Sequence, residues 1–537
     1  MIVLGLHKDP WHNTGAAIVK IGDKGREIVM LSEERLDRKK DSRSFPQRSA
    51  EACMEYFGIS NFDDIDLVVL DHIVTTDWKN DEFKTPCKKD TFLNQIDEKK
   101  IRVIDHHLSH ACSTYYASGF KDSAILIVDG RGSSAETQSL YEAKDGVVRL
   151  IEKTQNIGIG LLYSAVTQAI GFGLLQEGKT MGLAPYGEHV KERIFDFGGK
   201  FNGISTDYSS VCVEGKYDLK GYDSSKFQTQ DQKARAAYEV QHECEQAMLY
   251  LAKYAKEKTG MSHLCISGGV GLNSVANYKI LSAGIFEDVF INPACSDTGI
   301  PLGNALWGAH VELGSKYQQD LISPYMGPIY DEASYRRAAN IAREQGCEII
   351  EDAKVLDTFS QMLAENKIGS ICSGRSEMGP RALGNRSIVM SPLLAKNKDI
   401  LNSRVKHREA FRPFAPVALE EHTAEYFEID RPSPYMLLVP YVRMEKRSVI
   451  PAVTHADGTG RLQTVSEQSE TIYRRVLERF YKLTGVPVLL NTSFNVNKEP
   501  IVETPDDAVR CFLSTDIDFL LLGEKILIKK VLSSKMQ

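Results

Sequence analysis

The N-terminal part of the chain alternates short apolar runs with turn-forming residues. Strands are predicted over Met1–Leu6, Gly15–Lys20 and Glu27–Ser32, because Pro, Gly and Asn separate these apolar runs. The same order returns from Ser123, where the runs SAILIVDG, TQSLYEA and VVRLIEK follow one another and Asp145-Gly146 predicts a hairpin turn. Two copies of one strand meander, each followed by helical stretches, predict a duplicated α/β unit.

Duplication of this kind is found in actin, the sugar kinases and the heat-shock ATPases, where the first hairpin of each copy faces the phosphates in a central cleft. Further along this chain, apolar periodicity predicts a helix over Ala234–Thr259, followed by a strand over His263–Ser267. The stretch Ile322–Asp331, punctuated by Pro and Gly, predicts a domain boundary. We therefore predict a first domain over residues 1–322 and a second α/β domain over residues 323–537.

Composition narrows the classes of function that this chain can serve. Its 537 residues exceed what one hydrophobic core holds, so at least two domains are expected. A net charge of -7 argues against a protein that coats nucleic-acid phosphates, although it leaves room for a local basic pocket. The ten cysteines form no C-x-x-C pair, which argues against zinc ribbons and fits a reducing cytoplasm. No apolar run suits a membrane span or a signal peptide, so we expect a cytoplasmic protein without a membrane partner.

One group of residues has the types and spacing of a metal site. His106 and His110 stand four positions apart, so a helix starting there would present both imidazoles on one face. Asp129 ends the predicted strand Ile125–Val128, where side chains point into the cleft of an α/β sheet, and Asp297 lies in the loop NPACSDTG. A mixed set of nitrogen and oxygen ligands suits Fe(II), Mn(II) or Zn(II). The alternative is that the histidines are surface residues or packed in the interior, and that Asp129 only begins a turn.

Two glycine-rich segments of the first domain are candidates for nucleotide binding. In ISGGVGLNS, a strand meets Gly268 and Gly269 and then a helix start at Asn273, a geometry that lets a backbone close on a ligand and favours anions. The loop EGKTMGLAPYG offers Lys179 to a phosphate or a carboxylate. The segment ISGGVGLNS is neither a Rossmann nor a P-loop motif, and tight packing of the backbone is the alternative explanation for it.

The second half of the chain carries basic residues in loops broken by Gly and Pro. Guanidinium groups in rigid loops suit oxyanions, because their N–H forks match phosphate oxygens. Asn491 and Ser493 end an apolar strand, where they can hydrogen-bond an acyl or phosphoryl group. Solvated charges and loop caps are the alternative explanation for any single basic residue. The basic set comprises Arg375, Arg381, Arg386, Lys406, Arg408, Arg412 and Arg461.

Several blocks of the sequence, in this order along the chain, resemble one protein family. The blocks are EERLDRKK, HHLSHA, VDG, GKTMGLAPYG, GGVGLN, GPRALGNRS, KHREAFRPFAP, DGTGRLQTV and NTSFN. They span nearly the full chain, and by them the chain resembles the NodU/CmcH-type carbamoyltransferases, the family that includes the nebramycin O-carbamoyltransferase.

The resemblance implies a two-domain enzyme that carries out two reactions. The first domain is expected to be like the universal tRNA threonylcarbamoyl-transfer protein, of the duplicated ATPase fold inferred above, and the second is expected to be YrdC-like. In this family the YrdC-like domain joins carbamoyl phosphate and ATP, with the Mg²⁺ of ATP, into carbamoyl adenylate and releases pyrophosphate and phosphate. The first domain then transfers the carbamoyl group to an acceptor hydroxyl near a bound Fe(II).

The resemblance also implies roles for individual residues. His12 is expected to be the transfer-site histidine. Family members commonly have H-D-x-S-A where this chain has H-N-T-G-A, so the missing carboxylate at Asn13 points to a different acceptor pocket. The implied metal ligands are His106, His110, Asp129 and Asp297. The residues implied to meet carbamoyl phosphate and ATP are Arg381, Lys406, Arg412, Arg461, Asn491 and Ser493.

The sequence leaves the acceptor and the oligomeric state open. The candidate acceptors are hydroxyl groups of a small natural product, of a sugar, or of a hydroxymethyl-pyrimidine in a nucleotide or in DNA. Trp11, Trp78 or the Tyr115-Tyr116 pair can stack on a base, and burial in a core is the alternative.

Three other functions compete with O-carbamoyl transfer. One is a protein-thiol carbamoyltransferase of the hydrogenase-maturation type, but those enzymes carry an acylphosphatase module and zinc fingers. A sugar-kinase-like ATPase would leave the second half of the chain unexplained. A non-catalytic tRNA-binding relative is disfavoured by the acidic balance of charge.

Overall fold

The computed structural model describes residues 1–8, 12–23, 25–72, 92–214, 216–221 and 227–529. Contacts divide the chain into two compact units. Unit 1 contains Met1–Asp37 and Asp41–Ser323, and unit 2 contains Arg38–Lys40 and the chain from Pro324 onward. The activities expected of the two domains stay predictions.

Unit 1 is built from strands and helices that alternate along the chain. Its strands are β1 (Ile2–His7), β2 (Gly15–Gly22), β3 (Gly25–Ser32), β4 (Leu67–His72), β5 (Ile101–Asp105), β6 (Asp122–Val128), β7 (Gln138–Lys144), β8 (Val147–Thr154), β9 (Lys200–Asn202), β10 (Ser205–Asp207), β11 (His263–Ser267) and β12 (Asp288–Ile291). Its helices are α1 (Glu33–Asp37), α2 (Gln47–Tyr56), α3 (His106–Ser118), α4 (Ile159–Ala169), α5 (Glu177–Leu183), α6 (Gln230–Thr259), α7 (Ser274–Ser282) and α8 (Ile300–Trp307).

Two five-stranded sheets of unit 1 share one topology. The first has the strand order β3-β2-β1-β4-β5, and the second has the order β8-β7-β6-β11-β12. In each sheet three strands form an antiparallel meander, and two further strands run parallel to the first strand of that meander. The two copies match strand by strand, which confirms the predicted duplication and the fold of actin, the sugar kinases and the heat-shock ATPases.

The second meander contains the predicted hairpin turn. Asp145 and Gly146 have φ values of 48° and 83°, so both are left-handed, as a two-residue type I′ turn requires. Glycine reaches this region because it has no Cβ, and aspartate tolerates it through its short polar side chain. The turn sets the pairing of Lys144 with Val147.

Small residues let α8 approach its neighbours backbone to backbone. A Cβ at Gly303 of α8 would clash with the carbonyl oxygen of Ser109 in α3. A Cβ at Gly5 of β1 would clash with the carbonyl oxygen of Pro301. These glycines therefore hold α8 directly against α3 and β1.

Helix α6 is the longest helix among the described residues. It begins at a capping box, in which the side chain of Thr229 accepts a hydrogen bond from the backbone N–H of Gln232, and it ends at Gly260 with φ 67°. Charged residues are spread along its length, and its apolar face is buried. No helix in the described part of the chain is both long and apolar enough to cross a lipid bilayer.

Unit 2 contains one mixed sheet of eight strands, with the order β13-β20-β19-β14-β15-β18-β16-β17. The strands are β13 (Glu348–Ile350), β14 (Gly369–Cys372), β15 (Arg386–Met390), β16 (Ala415–Leu419), β17 (Gln463–Val465), β18 (Val488–Ser493), β19 (Phe519–Leu522) and β20 (Lys525–Ile528). The helices are α9 (Glu332–Glu344), α10 (Val355–Ala364), α11 (Lys396–Leu401), α12 (Thr423–Tyr426), α13 (Ile472–Thr484) and α14 (Pro505–Leu513).

An apolar cluster packs two helices onto this sheet. Phe359 of α10, Phe480 of α13 and Phe519 of β19 belong to it, and each is fully buried. Burying a side chain of this size contributes about 1.5–3 kcal/mol. The ends of the strands, which carry the loops discussed below, are thus anchored in a rigid core.

Candidate functional site

Two histidines and two aspartates meet in the interior of unit 1. The Nε2 atom of His106 lies 3.4 Å from Oδ2 of Asp129 and 3.5 Å from Oδ1 of Asp297. The Nε2 atom of His110 lies 3.7 Å and 3.4 Å from the same two oxygens. All four side chains are buried. We call these four residues the His–Asp cluster, and they are the four that the sequence analysis grouped as a metal site.

The local sequence explains why the two imidazoles face one point. Asp105 ends β5 and caps α3, because its side chain accepts a hydrogen bond of 3.0 Å from the backbone N–H of Leu108. His106 and His110 are therefore one turn apart on one helical face, with ring centroids separated by 4.8 Å. The two histidines, at positions i and i+4, thus lie in one helix, as the sequence predicts.

Each aspartate directs one carboxylate oxygen at the imidazoles of the cluster, and its other oxygen faces a different residue. Oδ1 of Asp129 accepts a hydrogen bond of 2.7 Å from the backbone N–H of Gly269, which directs Oδ2 at the imidazoles. Asp297 begins a short 3-10 turn, Asp297–Gly299, that leads into α8. Its Oδ2 lies 3.7 Å from Nδ1 of His12, which leaves Oδ1 to the cluster. Asp129 is therefore oriented by a hydrogen bond, and Asp297 lies between His12 and the two imidazoles.

Two residues that the sequence analysis missed hold the other nitrogens of the imidazoles. Nδ1 of His106 lies 2.8 Å from Oδ2 of Asp71, and Nδ1 of His110 lies 3.1 Å from Oγ of Ser267. Asp71 also contacts Nδ1 of His7 at 2.8 Å. Burial raises the pKa of Asp71, but the two imidazoles outweigh burial and hold that pKa below its usual value. Asp71 and Ser267 stand at or next to the ends of β4 and β11, so the strand-end position was an available signal.

The atoms of the His–Asp cluster fit a divalent cation. Both Nε2 atoms are buried without a hydrogen-bond partner among the described residues. Burying an unpaired polar atom costs free energy, and a ligand bound between the two atoms would remove that cost. Burial lowers the pKa of each imidazole, but the two carboxylates outweigh burial, so the pKa values of His106 and His110 lie above the usual value. Two imidazole nitrogens and two carboxylate oxygens suit Fe(II), Mn(II) and Zn(II) alike.

His12 lies in the connection between β1 and β2, beside the His–Asp cluster. Its Nδ1 is buried and faces Asp297. The next residue, Asn13, has φ 61°, a left-handed conformation that Asn and Asp tolerate better than other non-glycine residues. Asn13 therefore suits the backbone of this turn as an aspartate would, and differs from it in charge.

The remaining histidine of the HHLSH segment serves the fold. Nδ1 of His107 lies 2.7 Å from Oγ of Ser139, and the side chain is fully buried. Burial lowers the pKa of His107 to about 3, so this imidazole is neutral. His107 is not part of the His–Asp cluster.

The tyrosine pair of α3 is also part of the core. Tyr115 and Tyr116 are both 0% exposed. The ring centroid of Tyr115 lies 5.0 Å from that of Tyr317, and the hydroxyl of Tyr116 donates to the carbonyl oxygen of Gly146 at 2.9 Å. Burial in the core, the alternative given for this pair, is therefore confirmed, and neither ring is accessible to an acceptor base. Trp11 and Trp78 lie outside the described residues.

The first glycine-rich segment supports the His–Asp cluster. Gly268 has φ 93°, and a Cβ there would clash with the carbonyl oxygen of Val128. Glycine is required here because the ends of β6 and β11 approach closely at this point. Gly269 then orients Asp129 through its N–H, as described above.

The other two residues predicted to bind a nucleotide in unit 1 have partners within the protein. Asn273 caps α7 by accepting a hydrogen bond of 3.1 Å from the N–H of Ala276, and its Nδ2 donates to Gln241 at 2.9 Å. Lys179 lies on α5 with Nζ 5.5 Å from the centroid of the Phe172 ring. Nucleotide contacts of Gly268, Gly269, Asn273 and Lys179 stay predictions.

In unit 2 the predicted anion-binding residues gather at one end of the sheet. β18 runs antiparallel to β15 and β16, so its C-terminal end lies beside the N-terminal ends of those strands. β17 runs parallel to β16 and begins at the same edge. We call the polar and basic residues at these strand ends the cationic end. They are Arg381, Lys406, Arg408, Arg412, Arg461, Asn491 and Ser493.

The positive charges of the cationic end act on one another. Burial lowers the pKa of Arg461, and three guanidinium groups lower it further. Those groups belong to Arg381, Arg408 and Arg412. Burial, followed by Arg408 and Arg412, also lowers the pKa of Lys406. A bound anion relieves repulsion of this kind.

Lys406 is tied to the end of β18. It ends a π-helical turn, Asn402–Lys406, that continues α11. Its Nζ donates to the carbonyl oxygens of Ser493 and Asn495, both at 2.9 Å, and to Oδ1 of Asn495 at 2.7 Å. An ammonium has three N–H donors, and the three contacts above use those of Lys406. Lys406 therefore contributes a positive charge at a fixed position rather than N–H groups for a ligand.

Asn491 places a hydrogen-bond acceptor among these cations. Its Nδ2 donates to the carbonyl oxygen of Ala382 at 3.1 Å and to Oε1 of Gln463 at 3.0 Å. Nε2 of Gln463 donates to the carbonyl oxygen of Leu383 at 2.8 Å, which fixes the orientation of both amides. Oδ1 of Asn491 is then buried without a partner among the described residues. The cationic end therefore suits a ligand that has both an anion and an N–H donor.

Two arginines of the predicted basic set serve the fold instead. Arg386 is fully buried, and its guanidinium donates to the carbonyl oxygens of Glu503 and Asn385, both at 2.9 Å. Nε of Arg375 donates to the carbonyl oxygen of Gly327 at 2.6 Å. The structure assigns both guanidinium groups to backbone contacts.

Comparison with known proteins shows what this chain is similar to. Residues 360–530 match the family model Carbamoyltransferase C-terminus, and residues 77–306 match Carbamoyltransferase N-terminus. Nodulation protein NolNO of Sinorhizobium fredii (strain NBRC 101917 / NGR234) is 36% identical over 554 residues, which cover 97% of this chain and 80% of that protein. Nodulation protein NolO of Bradyrhizobium diazoefficiens is 36% identical over 439 residues, covering 80% of this chain and 79% of that protein. The solved structure of full-length HypF in its phosphate- and nucleotide-bound form matches with a TM-score of 0.36 and 12% identity, over 59% of this chain and 56% of that chain.

Proposed function

The chain belongs to the carbamoyltransferase family, and from this premise we propose that it is an ATP-dependent O-carbamoyltransferase. Carbamoyl phosphate and ATP, with uptake of one water, form carbamoyl adenylate, pyrophosphate and phosphate. The carbamoyl group then passes to an acceptor hydroxyl, and AMP leaves. The observation that carries the proposal is the presence, in one chain, of the His–Asp cluster and of the cationic end with its buried acceptor on Asn491.

The cationic end supports formation of the adenylate. Arg381, Arg412 and Arg461 can spread the negative charge that develops on the phosphates, and fixed N–H forks do so without reorganisation. Lys406 adds a charge whose position is set by β18. Oδ1 of Asn491 accepts a hydrogen bond from the carbamoyl amino group and so orients the donor. Mg²⁺ accompanies ATP in this step.

The His–Asp cluster and His12 support the transfer. A divalent cation held by the cluster would polarise the carbamoyl carbonyl as a Lewis acid. We propose Fe(II), as the family resemblance implies, with Mn(II) and Zn(II) as alternatives. His12 accepts the proton of the acceptor hydroxyl while the hydroxyl oxygen attacks the carbonyl carbon. Nδ1 of His12 faces Oδ2 of Asp297 at 3.7 Å, which leaves Nε2 for the acceptor.

The proposed acceptor is a hydroxyl of a small natural product, of a sugar, or of a hydroxymethyl-pyrimidine. The net charge of -7 disfavours a nucleic-acid polymer among these. We place the reaction in the cytoplasm, because the ten cysteines form no C-x-x-C pair and a chain of 537 residues needs no disulfide bonds to be stable, as a reducing compartment requires. The alternatives are a protein-thiol carbamoyltransferase and a sugar-kinase-like ATPase. The kinase reaction would give the buried hydrogen-bond acceptor, Oδ1 of Asn491, no role.

The test is an assay of both half-reactions with the purified full-length protein. Pyrophosphate release should require ATP and carbamoyl phosphate together. With a panel of hydroxylated acceptors, mass spectrometry should show the gain of one carbamoyl group. ATP consumption without carbamoyl phosphate, accompanied by phosphorylation of an acceptor, would instead identify a kinase.

A further inference from the structure

We propose that Asp71 and Ser267 are positioning residues that make Nε2 the metal-binding atom of both histidines in the His–Asp cluster. The inference rests on the metal site proposed above and adds the groups that set the hydrogen positions on the imidazoles. A neutral imidazole carries a hydrogen on one nitrogen and a lone pair on the other, and only the lone pair binds a metal. The partner of one nitrogen therefore decides whether the other can be a ligand.

Asp71 sets the hydrogen position of His106. An ionised carboxylate has only acceptor atoms, so Nδ1 of His106, 2.8 Å from Oδ2, must carry the hydrogen and donate it. Nε2 then keeps its lone pair, directed into the cluster. Asp71 is itself fixed, because its Oδ1 lies 2.8 Å from Nδ1 of His7 and 3.4 Å from Nδ2 of Asn304.

Ser267 sets the hydrogen position of His110 by a different route. Its hydroxyl donates its single hydrogen to the carbonyl oxygen of Cys295 at 3.0 Å. The same oxygen can therefore meet Nδ1 of His110, 3.1 Å away, only as an acceptor. Nδ1 of His110 carries the hydrogen, and its Nε2 also faces the cluster with a lone pair.

The two positioning residues come from equivalent places in the duplicated fold. Asp71 lies near the C-terminal end of β4, and Ser267 ends β11. β4 and β11 occupy the same position in the two five-stranded sheets, each parallel to the first strand of its meander. Each copy of the fold thus orients one of the two imidazoles that α3 presents.

His107 provides a matched control on the same helix. Its Nδ1 lies 2.7 Å from Oγ of Ser139, and Ser139 is as fully buried as Ser267. Its Nε2 is outside the His–Asp cluster. Removing either serine hydroxyl makes the same chemical change beside α3, but only the change at Ser267 reaches a proposed ligand.

The experiment compares the full-length wild type with Ser267→Ala, Asp71→Asn and Ser139→Ala. Zn(II) affinity is measured by competition with a chelator, the absorption of Co(II)-loaded protein reports the coordination, and thermal unfolding without metal verifies the fold. Ser267→Ala should weaken Zn(II) binding about 10- to 100-fold, and Ser139→Ala should leave it unchanged. Asp71→Asn should weaken binding in the same range and alter the Co(II) spectrum, because an amide has one acceptor and one donor end and can match only one of its two imidazoles.

The outcomes separate this inference from the proposed function. A wild type that binds neither Zn(II) nor Co(II) would end the proposed metal site itself. A wild type that binds, with both Asp71→Asn and Ser267→Ala binding equally well, would overturn the positioning roles. A loss in only one of these variants would overturn the role of the other residue. Equal losses in Ser267→Ala and Ser139→Ala would overturn the role of Ser267, since packing near α3 would then explain both.

Discussion

Nδ1 of His12 lies 3.7 Å from Oδ2 of Asp297, whose Oδ1 atom faces the imidazoles of the His–Asp cluster. One carboxylate thus joins the proposed proton acceptor to the proposed metal site. An imidazole whose Nδ1 faces a carboxylate keeps Nε2 for another partner. Proton removal and carbonyl activation therefore take place on opposite sides of one side chain in the proposed reaction.

Replacing His12 should separate the two half-reactions. We expect His12→Asn to lower product formation by about 10²–10⁴-fold, because the acceptor loses its base, and to leave pyrophosphate release unchanged. His189→Asn, at an exposed position of the same unit, should change neither rate. Loss of pyrophosphate release in His12→Asn would contradict the assigned division of labour.

Replacing Asp297 should remove the metal. Oδ1 of Asp297 lies within 3.5 Å of both Nε2 atoms of the cluster, so Asp297→Asn deletes a ligand charge at the centre of the site. Metal analysis should show less bound metal than in wild type, and transfer should fall while pyrophosphate release persists. Asp288→Asn, at the exposed start of β12, is the matched control. Wild-type metal content in Asp297→Asn would argue against the site.

Replacing Arg412 should stop the formation of carbamoyl adenylate, which is the first half-reaction. Arg412 is one of the charges that lower the pKa of Arg461, so it belongs to the same cationic end. We expect Arg412→Ala to abolish pyrophosphate release and to keep the metal content of wild type. Arg475→Ala, on the exposed face of α13, should retain both properties. If Arg412→Ala still formed the adenylate at the wild-type rate, anions would have to bind elsewhere.

The buried acceptor on Asn491 predicts selectivity for the donor. Acetyl phosphate has no N–H group, so it would leave Oδ1 of Asn491 unpaired at a cost of about 1–3 kcal/mol. Wild type should therefore release pyrophosphate about 10- to 100-fold faster with carbamoyl phosphate than with acetyl phosphate, each at limiting concentration. Asn491→Ala should reduce this ratio towards one, and Asn497→Ala should preserve it. An unchanged ratio in Asn491→Ala would remove the proposed contact.

Arg386 should behave differently from Arg412, although the sequence analysis placed both in one basic set. Arg386→Met removes the positive charge beside buried Glu503 and leaves backbone carbonyls unpaired. We expect a loss of about 3–5 kcal/mol in the stability of unit 2, measured by urea unfolding, against little change for Arg475→Met. A fully stable Arg386→Met variant that fails to bind carbamoyl phosphate would contradict the structural role.

Much of the scaffold could be predicted because its signals are local. The repeated meander follows from alternating apolar runs and turn residues, and the pairing of His106 with His110 follows from helical periodicity. The strand-end position of Asp129 likewise sufficed to place it in the cleft. In each case neighbours in sequence decide the outcome.

The remaining features depend on contacts between distant parts of the chain. Arg386 and Arg412 look alike in sequence, and only the carbonyl oxygen of Glu503, 117 residues away from Arg386, shows that Arg386 is structural. The strand-end positions of Asp71 and Ser267 are a local signal, but only the packing of β4 and β11 near α3 shows which imidazole each of them contacts. Partners of this kind are set by tertiary packing, which no local pattern encodes.

The two five-stranded sheets of unit 1 share one topology, but they contribute different residue types to the centre formed by His12 and the His–Asp cluster. His12, His106 and His110 all precede β6 and come from the first copy, whereas Asp129 and Asp297 follow strands of the second copy. His12 and Asp129 even occupy equivalent hairpin connections. The first copy thus supplies the nitrogen atoms of the centre and the second copy supplies the oxygen atoms, so neither half can substitute for its counterpart.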